Sequence, residues 1–277
     1  MILFPPCKIN LGLRVGKKRA DGYHNLETLF YPIPLTDALE IISGNENQTG
    51  AVLQTYGLDV PGDTNQNLIL KAYQLIAKDY NLGPVTFALL KQIPMGAGLG
   101  GGSSDGAFAI RLINAHFGLN LSIEKQCNYA AMLGSDCAFF IYDKPCIGLG
   151  RGEILKPIDF SLRGYWIVLI NPEIHVSTAA AFAGLKHNTI EKEDVISIEE
   201  VLVQNVEKWK YLLENDFEKS VFEIHPILKE IKDTLYLKGA SYAAMSGSGS
   251  TLFGLFKEKP KLDGLFQTYF YREFLLV

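Results

Sequence analysis

Strand-like and helix-like apolar patterns alternate through both halves of this 277-residue chain, which predicts an α/β or α+β fold in two domains. Two further features support that reading. A glycine-rich stretch at 93–107 joins an apolar strand to an amphipathic helix, and a second loop of small residues at 243–251 precedes another apolar strand. The length suffices for one large domain or two modest ones, each with a sizeable core. The domain boundary is expected near 157–164, giving domains of 1–160 and 161–277.

Taken in order, the first segment alternates as a strand over 8–15 and turns over 16–22. Lys8 stands at the head of that strand, after Pro6 and Cys7. Its ammonium reads either as an edge-strand charge that blocks aggregation or as a group aimed into a cleft. Tyr23 and His24 follow an Asp-Gly turn. An aromatic beside an imidazole would hold a planar base by stacking and hydrogen bonding; the same pair also reads as a buried tyrosine and a satisfied core histidine. Two strands, ALEIISG and AVLQTYG, flank the polar turn NENQT, and a helix begins at Asn67. The strand VTFALLKQI follows, carrying Lys91.

The glycine stretch reads IPMGAGLGGGSSDGA, with Gly96, Gly98, Gly100, Gly101, Gly102 and Gly106 around the hydroxyl pair Ser103-Ser104 and the acid Asp105. Such a loop folds tightly and presents successive N–H groups to a ligand. The segment after it reads as a helix with a serine or aspartate cap, an apolar face of Ala107, Ile110, Ile113 and Phe117, and Gly118 at its end. A glycine loop opening into a helix N-terminus favours an anion, phosphate first; the bland alternative is a structural turn. The loop lacks GxxxxGK[ST], so it is not a Walker A loop. Gly96, Gly98 and Gly101 satisfy G-x-G-x-x-G, but the acid expected about 20 residues later in a dinucleotide site is missing.

A capped helix, SIEKQCNYAAMLG, ends at Gly134; then Ser135-Asp136 run straight into apolar CAFFIY. Asp136 reads either as the cap of the next helix or, facing the phosphate loop, as the carboxylate that takes a proton from an attacking hydroxyl. Beyond it lie a turn and strand at 148–158, the strand YWIVLI, and the segment NPEIHVSTAAAFAGL. A polar helical stretch over 195–218, a helix over 225–239, the strand LFGLF and a last strand in QTYFYREFLLV complete the chain.

Composition removes several function classes. Net charge is −4 and pI is near 5.8, with no basic face to mark a nucleic-acid partner. The four cysteines, Cys7, Cys127, Cys137 and Cys146, lack CxxC spacing and suit reduced thiols better than a disulfide framework or a zinc site. No apolar run approaches the ~20 residues a membrane helix needs, and the start lacks the basic n-region of a signal peptide. A cytoplasmic protein with no membrane partner is expected, its oligomeric state open.

With these pieces in place, the chain resembles the GHMP kinase superfamily along essentially its whole length. The resemblance is carried by PCKINLGL, PMGAGLGGGSS and MSGSGSTLF, in that order. RADGYHNLETLF, the triple glycine of GLGGGSS, and GSDCAFF resemble the branch whose members act on a cytidine diphosphate-linked methylerythritol in a route to isoprenoid precursors. The resemblance implies a two-domain α+β fold, with a ribosomal-protein-S5-like N-terminal domain and a ferredoxin-like C-terminal domain. It implies ATP as donor, with Mg²⁺, and phosphorylation of an alcohol. Lys8 and Asp136 would lie together at the phosphoryl-transfer site. Pro94, Met95, Gly96, Ala97, Gly98, Leu99, Gly100, Gly101, Gly102, Ser103 and Ser104 would wrap the ATP phosphates, with Asn67 and Lys91 on the adenine side. Tyr23, His24 and Phe182 would hold the cytosine ring, the two aromatics sandwiching it, and Asn10 and Thr178 would make further substrate contacts. Ser103 or Ser104 would offer the metal a ligand; no protein carboxylate for it is identified. Cys7 stands where many members have alanine, and Ala138 where many have proline, which would loosen the backbone after Asp136. Other readings to be separated are a GHMP kinase for homoserine or mevalonate, and a catalytically silent nucleotide-binding protein of the same fold.

Overall fold

The computed structural model describes residues 1–45, 47–185, 196–262 and 264–277. The expected turn at 45–49 and the helical stretch from 195 each include a residue outside that set, Glu46 and Val195 respectively. In chain order the elements are β1 (Ile2–Leu3), β2 (Pro6–Lys18), β3 (His24–Thr36), β4 (Ala38–Ser43), β5 (Ala51–Gly57), α1 (Leu68–Ala77), β6 (Val85–Lys91), α2 (Gly101–His116), α3 (Ile123–Leu133) and α4 (Cys137–Tyr142). They continue with β7 (Cys146–Gly150), β8 (Ile154–Pro157), β9 (Trp166–Asn171), α5 (Thr178–Ala183), α6 (Ile198–Leu202), α7 (Val206–Leu212), α8 (Glu218–Ile224), α9 (Pro226–Leu237), β10 (Tyr242–Met245), β11 (Leu252–Phe256) and β12 (Phe270–Leu275).

Contacts group the chain into two compact units of interleaved segments. One comprises Met1–Lys8, Pro32–Met95 and Gly100–Lys144; the other comprises Ile9–Tyr31, Gly96–Leu99 and Pro145–Val277. This differs from a single cut near residue 160 because β2 and β3, each 13 residues long, contribute residues to both units.

The first unit is built on a sheet of order β1-β4-β6-β5. Alternation in β6 buries Val85, Phe87 and Leu89 on the side that α1 and α2 help to cover, while Leu90 on the other side is exposed. The strands β4 and β5 are consecutive in sequence but do not form a hairpin. β6 lies between them, antiparallel to β4 and parallel to β5. The parallel pair needs a crossover, and α1 supplies it, burying Ile69, Leu70, Tyr73 and Ile76. α2 packs against α1, α3 and α4 and is buried on most of its surface, well beyond the single face read from its sequence. Ala107, Ile110 and Ile113 are all fully buried.

In the second unit an antiparallel sheet of order β10-β11-β9-β12 is covered by α9, whose Leu228, Ile231 and Leu235 meet Val168, Ile170 and Leu252 in one core. The hairpin of β7 and β8 extends the pairing of β3. The polar helical stretch resolves, where described, into α6 and α7, and α8 begins at its last residue, Glu218. The Trp209 indole donates to Val201 O (3.1 Å) and folds α7 back on α6. Asn215 then donates to Met245 O and Gly247 O, both at 2.8 Å, which draws the chain out of helix before α8.

Candidate active site

In the first unit, Lys8 comes from the buried beginning of β2 and Asp136 from the residue preceding α4. Lys8 is 3% exposed, so it is no surface charge guarding an edge. Its Nζ lies 3.7 Å from Asp136 Oδ2. Burial pushes the Lys8 ammonium below its ordinary range, and the Asp136 charge pulls it back up. Asp136 occupies the capping position of α4 without capping it: its backbone is helical and its side chain accepts no N–H of the first turn. Its carboxylate remains about one-third exposed, at 32%. The open choice between a cap and a carboxylate beside the loop is resolved against the cap. α4 begins at Cys137, with Ala138 as its second residue, so the backbone after Asp136 is helical without a proline there. Burial pushes the Cys7 thiol up to about 12, and Cys137 likewise, which keeps both protonated and chemically quiet.

The glycine loop is built by close approach. Gly100, at φ +70°, precedes α2 in the left-handed region; a Cβ there would stand 3.0 Å from Phe140 Cζ and 3.2 Å from Lys8 Cε. The loop backbone therefore rests on the Lys8 side chain itself. The expected serine or aspartate cap is not formed. α2 starts at Gly101 with no side-chain cap, and Ser103, Ser104 and Asp105 sit inside its first turns. The helix starts two residues before the serines because Gly100, in the left-handed region, takes the capping position. The uncapped first turn leaves backbone N–H groups for an anion. Ser104 Oγ is buried without a hydrogen-bond partner among the described residues, and Ser103 is only partly buried. Pro94 is partly buried and Met95 exposed.

Residues 96–99 group with the second unit, where Ala97 and Leu99 are buried. A Cβ on Gly98 would fall 2.1 Å from Ser246 O. Ser246 Oγ donates to Gly98 O (2.9 Å), and the Thr251 N–H donates to Ala97 O (3.2 Å). The second small-residue loop is thus a clamp on this part of the first. Gly96 lies beside His175, whose Nδ1 would be 3.6 Å from a Cβ there.

Two of the expected ATP contacts are placed differently from one another. Asn67 caps α1, its Oδ1 accepting the Ile69 N–H at 2.9 Å, and is partly buried. Lys91 has its side chain wholly buried: Nζ donates to Asp37 Oδ2 (2.5 Å) and Asp105 Oδ2 (2.6 Å). Its ammonium is therefore enclosed by two carboxylates, which leaves only the main chain of Lys91 to meet the adenine side of a nucleotide. Asp37 was not singled out in the sequence. It falls between two strands, 54 residues before its lysine, and no local pattern marks the pairing.

The second unit holds the other group. His24 and Phe182 stack with ring centroids 5.6 Å apart and planes at 27°; His24 Nδ1 is 2.9 Å from Gly16 O, and Phe182 also meets the edge of Phe217. Tyr23 is 55% exposed, with the Arg151 guanidinium 4.8 Å from its ring centroid. The alternative of a buried tyrosine is therefore excluded. Asn10 is buried and donates to Thr28 Oγ1 (3.0 Å). Thr178 begins α5, exposed, with Oγ1 3.0 Å from Ser248 Oγ. Arg151 and Ser248 were missed as individuals, although each lies in a stretch noted in the sequence.

The description "GHMP kinases N terminal domain" fits residues 67–144, and "GHMP kinases C terminal" fits 195–268. The chain belongs to the GHMP kinase family, whose members are ATP-dependent phosphotransferases. It is 52% identical over 262 residues to a Bacteroides fragilis 4-diphosphocytidyl-2-C-methyl-D-erythritol kinase, covering 95% of this chain and 94% of that one. A crystal structure of 4-(cytidine 5'-diphospho)-2C-methyl-D-erythritol kinase superposes with a TM-score of 0.76 at 31% identity, over 92% of this chain and 90% of that one. The Methanococcus jannaschii mevalonate kinase also gives a TM-score of 0.76, over 99% of this chain and 96% of that one, but at 18% identity it shares the fold alone. Among the described residues no helix is long and apolar enough to cross a membrane.

Proposed function

We propose that this protein transfers the γ-phosphate of ATP to the 2-hydroxyl of 4-diphosphocytidyl-2-C-methyl-D-erythritol, forming the 2-phosphate and ADP. The observation that carries the reading is the Lys8–Asp136 pair, an uncapping carboxylate 3.7 Å from a buried ammonium against which Gly100 is packed. Phosphoryl transfer asks the protein chiefly to align groups and neutralise charge. Asp136 accepts the hydroxyl proton or orients the hydroxyl as its oxygen bonds to the γ-phosphorus and the bond to ADP breaks. Lys8 offsets charge developing on the transferred group. N–H groups from Gly98 to Ser104 hold the phosphates.

Among the described residues no cluster of three or more His, Cys, Asp or Glu side chains is arranged for a metal ion. A Mg²⁺ carried on the nucleotide phosphates fits what is present, and Ser103 or Ser104 would be its hydroxyl ligand; Ser104 Oγ is buried and has no hydrogen-bond partner among the described residues. Bound there, Mg²⁺ supplies charge neutralisation to the phosphate oxygens. Tyr23, His24 and Phe182 hold the cytosine, with Asn10 and Thr178 beside the substrate. The four cysteines are free thiols, which with ATP as donor suits the cytoplasm.

The test is ADP release with ATP and Mg²⁺ on the cytidyl substrate, run beside free methylerythritol, homoserine and mevalonate. Turnover confined to the cytidyl substrate is expected. Turnover on another alcohol retains the kinase and rejects the pocket; ATP binding with no turnover on any of the four rejects the kinase.

A further inference from the structure

A buried charge cluster lies outside the reacting groups described above. Lys91 ends β6, immediately before the chain enters the glycine loop, and its ammonium sits between Asp37 and Asp105. All three side chains are 4% exposed or less. Asp37 reaches further: its Oδ1 accepts the N–H groups of Gln92 (2.5 Å) and Ile93 (2.9 Å), the first two residues after Lys91. Its own N–H donates to Pro5 O (2.9 Å), which anchors it to the chain just before Lys8. At the far end of the loop, Asp105 is the fifth residue of α2. The helix backbone comes close as well, since a Cβ on Gly101 would lie 3.0 Å from Lys91 Nζ.

We infer that Lys91 is a positioning residue for the phosphate loop: one buried ammonium ties the chain entering the loop, through Asp37, and the helix leaving it, through Asp105, to a single point. The distance between the two ends of the loop is fixed by this cluster, and with it the direction of the uncapped N–H groups at the start of α2. A buried hydrogen-bonded cluster suits that task, because in a low-dielectric interior it tolerates little displacement. The Lys91 ammonium acts through the loop, since both of its carboxylate partners lie in the buried interior. Among the described residues the second oxygen of Asp105 is buried without a hydrogen-bond partner, so its tie to the chain entering the loop runs through the lysine.

The inference rests on the reading that this loop binds ATP, and the experiment separates the two. ATP and GTP dissociation constants are measured by calorimetry, with Mg²⁺, for the wild type, Lys91→Met and Asp105→Asn; KM for ATP and for the cytidyl substrate is measured alongside. A loop held out of position loses grip on any triphosphate. Lys91→Met is expected to weaken ATP and GTP alike by tenfold or more, and Asp105→Asn by threefold or more. The ATP-to-GTP ratio and KM for the cytidyl substrate stay within twofold of wild type. A collapse of the ATP-to-GTP ratio in Lys91→Met, with Asp105→Asn unaffected, means that Lys91 reads the base and overturns the inference. Unchanged nucleotide affinity in folded variants reduces the cluster to a stability element and overturns it too. Should Lys91→Met fail to fold, the near-isosteric Asp105→Asn decides by the same criteria. Wild-type protein that binds no ATP overturns the kinase reading and this inference with it.

Discussion

Asp136 is the most exposed member of its charged pair, and its neglect of the helix end it stands on is the clearest mark of a chemical role. A carboxylate whose only task is capping would turn toward the α4 amides; this one lies beside a lysine that is itself 3% exposed. Asp136→Ala should lower kcat by about 10²–10⁴ while ATP affinity stays near wild type, the range for removing a general base. Nearly full activity in steady-state assays would make the aspartate structural. Tyr23 calls for a different measurement. Its ring is open on the surface, with Arg151 beside it, and a base stacked on an aromatic gains about 1–3 kcal/mol. Tyr23→Ala should therefore raise KM for the cytidyl substrate about five- to 150-fold and leave KM for ATP alone. A loss confined to ATP would reverse the assignment of the two nucleotides.

The two glycine-containing loops form one device in which the second holds the first. Gly98 shows how tightly: its Cα faces Ser246 O so closely that an alanine methyl would stand 2.1 Å from that oxygen. At φ +77° an alanine would also be strained by its own backbone. Gly98→Ala should lower Tm by about 5 °C or more and cut kcat/KM for ATP at least tenfold. An unchanged Tm and kcat/KM would show that the clamp is slack. The serines of 243–251 are legible in the sequence as a loop of small residues. That they grip residues 97 and 98 is not, because the partners are separated by about 150 positions and meet through backbone carbonyls that every residue carries.

At the level of the folded protein's stability, the buried cluster gives a pH dependence. Burial pushes the Asp105 carboxyl up to about 7, and the nearby Asp37 charge pushes the same way, with Lys91 opposing. A carboxyl that is harder to ionise when folded binds more protons in the native state than in the unfolded chain, where its value is about 3.9. Its contribution to stability is complete below about pH 4 and is lost as pH rises through about 7. Asp105→Asn removes that titration. Across urea denaturation series at pH 5, 6, 7 and 8, wild-type stability should decline relative to Asp105→Asn, most of the change coming by pH 7. A difference that stays constant with pH would mean that Asp105 is ionised throughout.

Local rules were enough for much of this molecule. Helix α1, the strand β6, the helix after the glycine loop and the strand β11 follow from apolar periodicity, which acts over a few residues, although the cap expected for the second helix is not formed. The motifs around Lys8, residues 94–104 and Asp136 are likewise contiguous, so a family and its chemistry can be read from them. Contacts across the chain settled the rest. β4 and β5 look like a hairpin in sequence, yet β6 separates them, because strand order follows from which apolar faces pair and not from adjacency. Asp136 as cap or as carboxylate beside the loop and Tyr23 as core or surface were both undecided, and the burial of Lys91 between Asp37 and Asp105 was not legible at all. Each depends on burial and on a charge brought from a distant segment. Those are properties of a packed interior, and no window of sequence contains them.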